Sequence, residues 1–334
     1  RYTQEGKKLG EDPKLYMKDL EFANVPVRIY QPKAASANQR RGLIFFHGGG
    51  WMFGSINSYD RVCRYIARES ESVVLSVGYR LAPERKYPSQ YKDCFVATAQ
   101  FMMTAKDYGV DPTRIILGGD SAGGNIAASV CQALVSRPHL PKPLAQILIY
   151  PGLQAIDFCL PSYQQNRAVP ILYRDDVIST ALKYLNTDLS VLENVVRGSH
   201  VPIDIKEKFG KWVNADNIPN EFKVRGYKPP SPTSYLNDVY EAVKQALETT
   251  FSPLLAEDSI IRHLPQTYIL TCEYDVLRDD GLLYKKRLKD NGVLVTWYHI
   301  EDGFHGVLSL FDGFLSFPSG KKGVDNIVNF LNGL

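Results

Sequence analysis

Short apolar runs alternate with helical stretches along most of this chain, and that rhythm narrows the folds open to it more than any other feature. Gly42–Phe46, Ser72–Val77, Ile115–Leu117, Gln146–Tyr150, Thr267–Thr271 and Leu294–Tyr298 read as strands. They are short, rich in β-branched residues and bounded by turn residues, as strands buried on both faces should be. Tyr59–Glu69, Tyr87–Tyr108, Asn125–Ser136, Asp280–Asp290 and Gly323–Leu331 read as the helices between and after them. Strand-helix alternation predicts an α/β fold with a mostly parallel central sheet covered by helices on both faces. Ligands of such sheets bind at the carboxyl ends of the strands. At 334 residues the core is large enough to need no disulfide or metal staple.

One gap breaks the rhythm. About a hundred residues, 152–251, carry a helical stretch at Asp175–Asn186, then Trp212, then the proline-rich Lys228–Pro232, but no strand-helix beat. So long a segment is not expected to be a bare loop, and it reads as a cap over the strand ends. The expected organisation is a first core part at 41–151, the cap insertion at 152–251 and a second core part at 252–334. Residues 1–40 are expected to contribute to the cap and to the first sheet strands.

Gly119-Asp120-Ser121-Ala122-Gly123 follows one of the central strands and leads into a helix. A G-x-S-x-G turn between strand and helix pushes its serine hydroxyl out toward a cleft. Taken alone Ser121 could be an ordinary turn serine; its company decides. A serine hydroxyl needs a general base within hydrogen-bond reach and an acid to orient that base. Of six histidines, His299 and His305 follow the last strands. His299 sits at strand spacing from Trp297 and reads as structural. His305, in Glu301-Asp302-Gly303-Phe304-His305-Gly306, lies at the sheet edge where Ser121 is expected. Glu273, Asp275, Asp279 and Asp280 all follow the strand at Thr267–Thr271. Asp275 lies close to the strand end, where the chain leaves the sheet, while Asp279 and Asp280 read as acidic residues at a helix N-terminus. Asp120 is expected to point away from the cleft. His47-Gly48-Gly49-Gly50-Trp51 supplies three glycines whose N–H groups can approach a developing oxyanion, with Ala122, after the serine, as the last donor. The rival phosphate-loop reading lacks G-K-S/T. His47 reads as scaffold.

A net charge of +3 without long runs gives no basic footprint for nucleic acid. No stretch of 18 apolar residues spans a membrane. Arg1 at the start reads as a trimmed or processed form. Cys63, Cys94, Cys131, Cys159 and Cys272 show no zinc spacing and read as buried small hydrophobes. There is no N-x-S/T acceptor for N-glycosylation.

With these residues in hand the chain resembles the hormone-sensitive-lipase branch of the α/β-hydrolases, and within it the arylacetamide deacetylases. The resemblance rests on His47–Trp51, Tyr79-Arg80-Leu81-Ala82-Pro83-Glu84, Gly119–Asn125, Asp275–Gly281 and Asp302–Gly306, in the family's order across most of the chain. It implies an α/β-hydrolase fold with a cap subdomain. It implies Ser121 as nucleophile, Asp275 as triad acid, His305 as base, and oxyanion donors from Gly48, Gly49, Gly50 and Ala122. The implied activity is hydrolysis of carboxylic esters and some amides of small lipophilic molecules, in lipid or xenobiotic metabolism, through an acyl-enzyme and without metal or cofactor. Longer acylglycerol or sterol esters are the alternative substrates. A non-catalytic small-molecule binder on the same fold is the remote one, since such a relative lacks the histidine that His305 supplies. The resemblance also implies an endoplasmic reticulum enzyme on the lumenal side, membrane-associated through an N-terminal segment not present here; the alternative is a secreted or soluble protein.

Overall fold

The computed structural model describes residues 10–169 and 171–334. Eight strands form one sheet: β1 (Leu15–Phe22), β2 (Val25–Pro32), β3 (Arg40–Phe46), β4 (Val73–Val77), β5 (Val110–Asp120), β6 (Ala145–Ile149), β7 (Gln266–Tyr274) and β8 (Val295–Phe304). Their order is β1-β2-β4-β3-β5-β6-β7-β8. From β4 to β8 every neighbouring pair is parallel. β1 and β2 form an antiparallel hairpin that joins β4 antiparallel.

The helices are α1 (Asp60–Ser70), α2 (Ser89–Thr104), α3 (Ala122–Val135), α4 (Pro161–Gln165), α5 (Arg174–Leu185), α6 (Leu192–Val196), α7 (Ile203–Gly210), α8 (Asn237–Val243), α9 (Asp258–Ile261), α10 (Arg278–Asp290) and α11 (Pro318–Asn332). Side chains alternate across the central strands, which sorts the core into two layers. Leu43 and Phe45 of β3 pack with Val62 and Ile66 of α1 and Val324 and Ile327 of α11. Ile44 and Phe46 face the other way, toward Phe101 of α2, Ile126 and Val130 of α3 and Leu282 of α10. α3 is buried on nearly every side, as an apolar helix beneath a sheet must be.

Two strands run further than their sequence suggests. β5 begins at Val110, and β8 continues to Phe304 because a register irregularity between Cys272 and Tyr274 lets the pairing resume at Tyr274 and Phe304. His305 is therefore the residue that directly follows a strand, rather than one in an open loop. Asp12 lies against α1, where Arg68 donates to its carboxylate at 2.9 Å. The remaining N-terminal residues expected in the cap, 1–9, lie outside the described residues. No described helix is long and apolar enough to cross a membrane.

Residues 152–251 hold α4 to α8 and short turns, without a strand among the described residues. Their seat on the core is polar and buried. Arg278, 0% exposed, donates to Glu273 (3.1 Å) and Asp279 (3.0 Å) on its own segment. It also reaches Gln165 (3.0 Å) and the carbonyl of Phe222 (2.9 Å) in the insertion. Arg278→Met leaves the carboxylate of Asp279 without its cation in a dry site, while Glu273 keeps Arg225. We expect it to cost roughly 3–5 kcal/mol of stability, the penalty of breaking a buried pair by removing one partner. A urea midpoint within error of wild type would refute this.

Candidate active site

Ser121 stands at the apex of the turn from β5 into α3, with φ 55° and ψ −120°. A positive φ in a residue with a Cβ is strained backbone, held only where its surroundings insist on it. Here the Ser121 N–H donates to the carbonyl of Ile149 at 2.9 Å and its own carbonyl accepts from Asn125 N–H at 3.0 Å. Nε2 of His305 lies 2.9 Å from Ser121 Oγ, and Nδ1 of His305 lies 2.9 Å from Asp275 Oδ2. The other oxygen of Asp275 accepts from Leu277 N–H at 2.8 Å. Asp275 is 1% exposed and His305 8%. The imidazole packs on the Tyr150 ring, 4.8 Å between centroids. With the carboxylate accepting from Nδ1–H, Nε2 is the free acceptor that faces the serine.

Beside this relay lies a cavity of about 490 Å³ lined by Gly49, Gly50, Ser121, Ala122 and His305, among others. Gly49 (φ 111°) and Gly50 (φ 60°) adopt backbone angles that disfavour a side chain, which turns their segment toward the serine. The N–H groups of Gly49, Gly50 and Ala122 have no acceptor among the described residues and border the same space. Gly48 differs from expectation. Its N–H donates to Asp120 Oδ1 at 2.7 Å, so it is not free for an oxyanion.

That bond gives Asp120 a structural part, although it borders the cavity rather than pointing away from it. Its buried carboxylate accepts from Gly48 N–H, from Tyr59 OH at 2.8 Å and from Tyr150 OH at 3.4 Å. Asp120 thus ties the glycine loop to the serine turn and, through Tyr150, to the ring of His305. Tyr59 and Tyr150 escaped notice in the sequence because nothing in a strand end or a helix start marks a tyrosine as a donor to a distant carboxylate.

A family profile described as the alpha/beta hydrolase fold matches residues 43–199 and 218–309. The chain is 46% identical to human (Homo sapiens) arylacetamide deacetylase-like 4 over 335 residues, covering 100% of this chain and 82% of that protein. It is 41% identical to Bos taurus arylacetamide deacetylase over 327 residues, covering 96% of this chain and 80% of that protein. The chain belongs to the arylacetamide deacetylase family of α/β-hydrolases. Among solved structures, a Pyrobaculum calidifontis esterase superimposes with a TM-score of 0.71 at 25% identity, covering 96% of this chain and 85% of that one. In class, this arylacetamide deacetylase family member is a carboxylic ester hydrolase.

The other histidines of this family member stand outside the relay. His47 is buried, its Nδ1 2.7 Å from the Gly48 carbonyl and its ring stacked on Tyr79 at 4.3 Å; burial lowers its pKa to about 4. It is scaffold beneath the glycine loop. His299 lies on β8 against Thr271 (2.9 Å). Burial alone would raise Glu273, but His299, Arg278 and Arg225 hold its carboxyl down to about 2. The five cysteines are free, four of them buried. No described group of three or more His, Cys, Asp or Glu side chains could hold a metal.

Asp279 and Asp280 sit in the first turn of α10 but do not cap it. They are buried because the start of the insertion packs on them. Asp279 accepts from Ser162 N–H (2.6 Å), and Asp280 from Leu153 N–H (2.7 Å), Gln154 (3.1 Å) and Tyr163 OH (3.1 Å). Burial raises Asp280 to about 7, against 3.8 for an ordinary aspartate. The native state therefore keeps this proton up to about pH 7 where the unfolded chain loses it near 4. Stability from this group is fully present below about pH 4 and falls as pH rises through 7. Asp280→Asn should flatten the decline in melting temperature between pH 5 and 8; an unchanged slope would contradict the assignment.

Proposed function

We propose that this enzyme hydrolyses carboxylic esters, and arylamides, of lipophilic small molecules through an acyl-enzyme. The carrying observation is the continuous relay from Asp275 through His305 to Ser121, each link 2.9 Å, opening on a cavity. His305 Nε2 takes the proton of Ser121 Oγ as the oxygen attacks the substrate carbonyl. The tetrahedral oxyanion is met by the N–H groups of Gly49, Gly50 and Ala122. His305 then gives its proton to the departing alcohol or amine, leaving the acyl group on Ser121. Water, activated by the same histidine, releases the acid. Asp275 holds the imidazole with Nδ1 protonated and stabilises the imidazolium that forms.

The lipophilic preference rests on the cavity wall. Phe158, Leu172, Val177, Phe251 and Leu277 line it, and Phe53 and Ile171 at 67% and 58% exposure carry the apolar surface out to solvent. Its volume suits a small molecule. The test is a panel of p-nitrophenyl esters from acetate to palmitate, an arylacetamide and a long-chain triacylglycerol. Highest kcat/KM is expected on the short and aryl substrates. A peak on the triacylglycerol would favour the acylglycerol alternative. Failure of Ser121 in the folded protein to label with a fluorophosphonate would favour the non-catalytic binder.

A further inference from the structure

The triad acid is carried on the segment Glu273–Asp275, where β7 ends and a turn begins, and which must hold its carboxylate still against His305. The core does not hold this segment alone. Asn166 ends α4 in the insertion, its N–H donating to the Ser162 carbonyl at 2.9 Å, and it is 0% exposed. Its Nδ2 donates to the Asp275 carbonyl at 2.9 Å and to the Glu273 carbonyl at 3.0 Å. Its Oδ1 accepts from Arg225 Nη2 at 3.1 Å, which fixes which end of the amide faces the segment. Arg225 in turn donates through Nε to Glu273 Oε1 at 3.0 Å. Both carbonyls that flank Tyr274 are thereby gripped by one buried amide. Next to it, Ser162 Oγ donates to the carbonyl of Val276 at 2.6 Å.

We propose that Asn166 is a positioning residue for the reaction: a side chain of the insertion that sets the backbone of Asp275, and through it the orientation of His305. The proposal rests on the triad reading above. Asn166 touches neither substrate space nor the reacting atoms; it is absent from the cavity wall. No side chain other than asparagine or glutamine offers an amide to two carbonyls and an acceptor to an arginine at once, and the shorter reach is the one the geometry fits. Because the chemistry depends on a correctly aimed imidazole, a sub-ångström drift of Asp275 lowers the rate of bond making without altering how substrate is held.

The test is steady-state hydrolysis of p-nitrophenyl acetate by Asn166→Ala and Asn166→Asp, with active sites counted by fluorophosphonate titration so that only competent molecules enter kcat. Asn166→Asp keeps volume and the arginine contact but loses both donors. Each variant is expected to lower kcat about 10–100-fold while KM stays within about threefold. A kcat within twofold of wild type in either variant overturns the proposal, as does an unchanged kcat with a raised KM. Should neither variant fold, Arg225→Ala, whose side chain is 35% exposed, removes the brace on the amide together with one cation on Glu273, which keeps Arg278. It should lower kcat several-fold with KM unchanged, and wild-type kcat there overturns the proposal. Ser121→Ala runs alongside: if it retains turnover, the triad reading fails, whereas an inactive Ser121→Ala beside fully active Asn166 variants rejects Asn166 alone.

Discussion

Ser121→Ala and His305→Ala should each reduce kcat by about 10⁴–10⁶-fold, with melting temperatures close to wild type. The reason is that the two side chains act as one unit. Without Oγ there is no nucleophile for the acyl group. Without the imidazole the hydroxyl keeps its proton, and the departing group has no donor. Residual activity in either variant comes from Gly49, Gly50 and Ala122 polarising the carbonyl toward water, and should be similar in both. The double variant should therefore be no worse than either single one. Asp275→Asn should lose less, about 10⁴-fold, because it leaves nucleophile and base in place but favours the wrong tautomer. Turnover within tenfold of wild type in Ser121→Ala, after ruling out trace wild-type enzyme by fluorophosphonate titration, would remove the serine from the mechanism.

Gly123→Ala should abolish the native fold. A Cβ at this position would sit 2.0 Å from the carbonyl oxygen of Phe46 and 2.6 Å from that of His47, both backbone atoms of the strand end and loop beside it. Neither can move without breaking the β3–β5 pairing or the glycine loop that follows. Overpacking of side chains costs typically 1–3 kcal/mol because side chains can shift; here only backbone is available to yield, so the cost exceeds that range. The same substitution at Gly210, where nothing lies within 4 Å, should be close to neutral. Circular dichroism and soluble yield compare the two. A folded, active Gly123→Ala protein would show that α3 can slide away from β3.

Most of what positions the chemistry was legible because it is local. Periodicity marks β3 to β8, and the glycines of the serine turn mark where strand and helix approach. The hairpin at the other edge was expected only as unspecified first strands. Its signal was present in the two-residue turn Ala23–Asn24, whose φ values of 51° and 63° match the twist a tight hairpin needs, but alanine is a poor advertisement for that conformation. What the sequence hid is contact at a distance. Gly48 looked like an oxyanion donor until its N–H proved to be taken by Asp120. Asp279 and Asp280 looked like helix-start acids, whereas in the fold they are buried acceptors for Leu153, Gln154, Ser162 and Tyr163. Asn166 gave no signal at all, since a lone asparagine in a segment without periodicity is read as a turn former.

The ring of Trp51, in the glycine loop, stacks on Tyr184 of α5 at 4.5 Å and meets Phe251, where the insertion returns to the core, at 5.3 Å. Thr180, one turn earlier on α5, stands so close to Gly50 that an added Cβ would lie 2.5 Å from its methyl. Roof and oxyanion loop are thus one piece of masonry. Raising the roof to admit a larger guest would pull on the glycine loop that carries the proposed oxyanion donors. Phe53 and Ile171, exposed at the cavity's edge, stand apart from that joint, so substitutions there are expected to widen the range of substrates without loosening the loop.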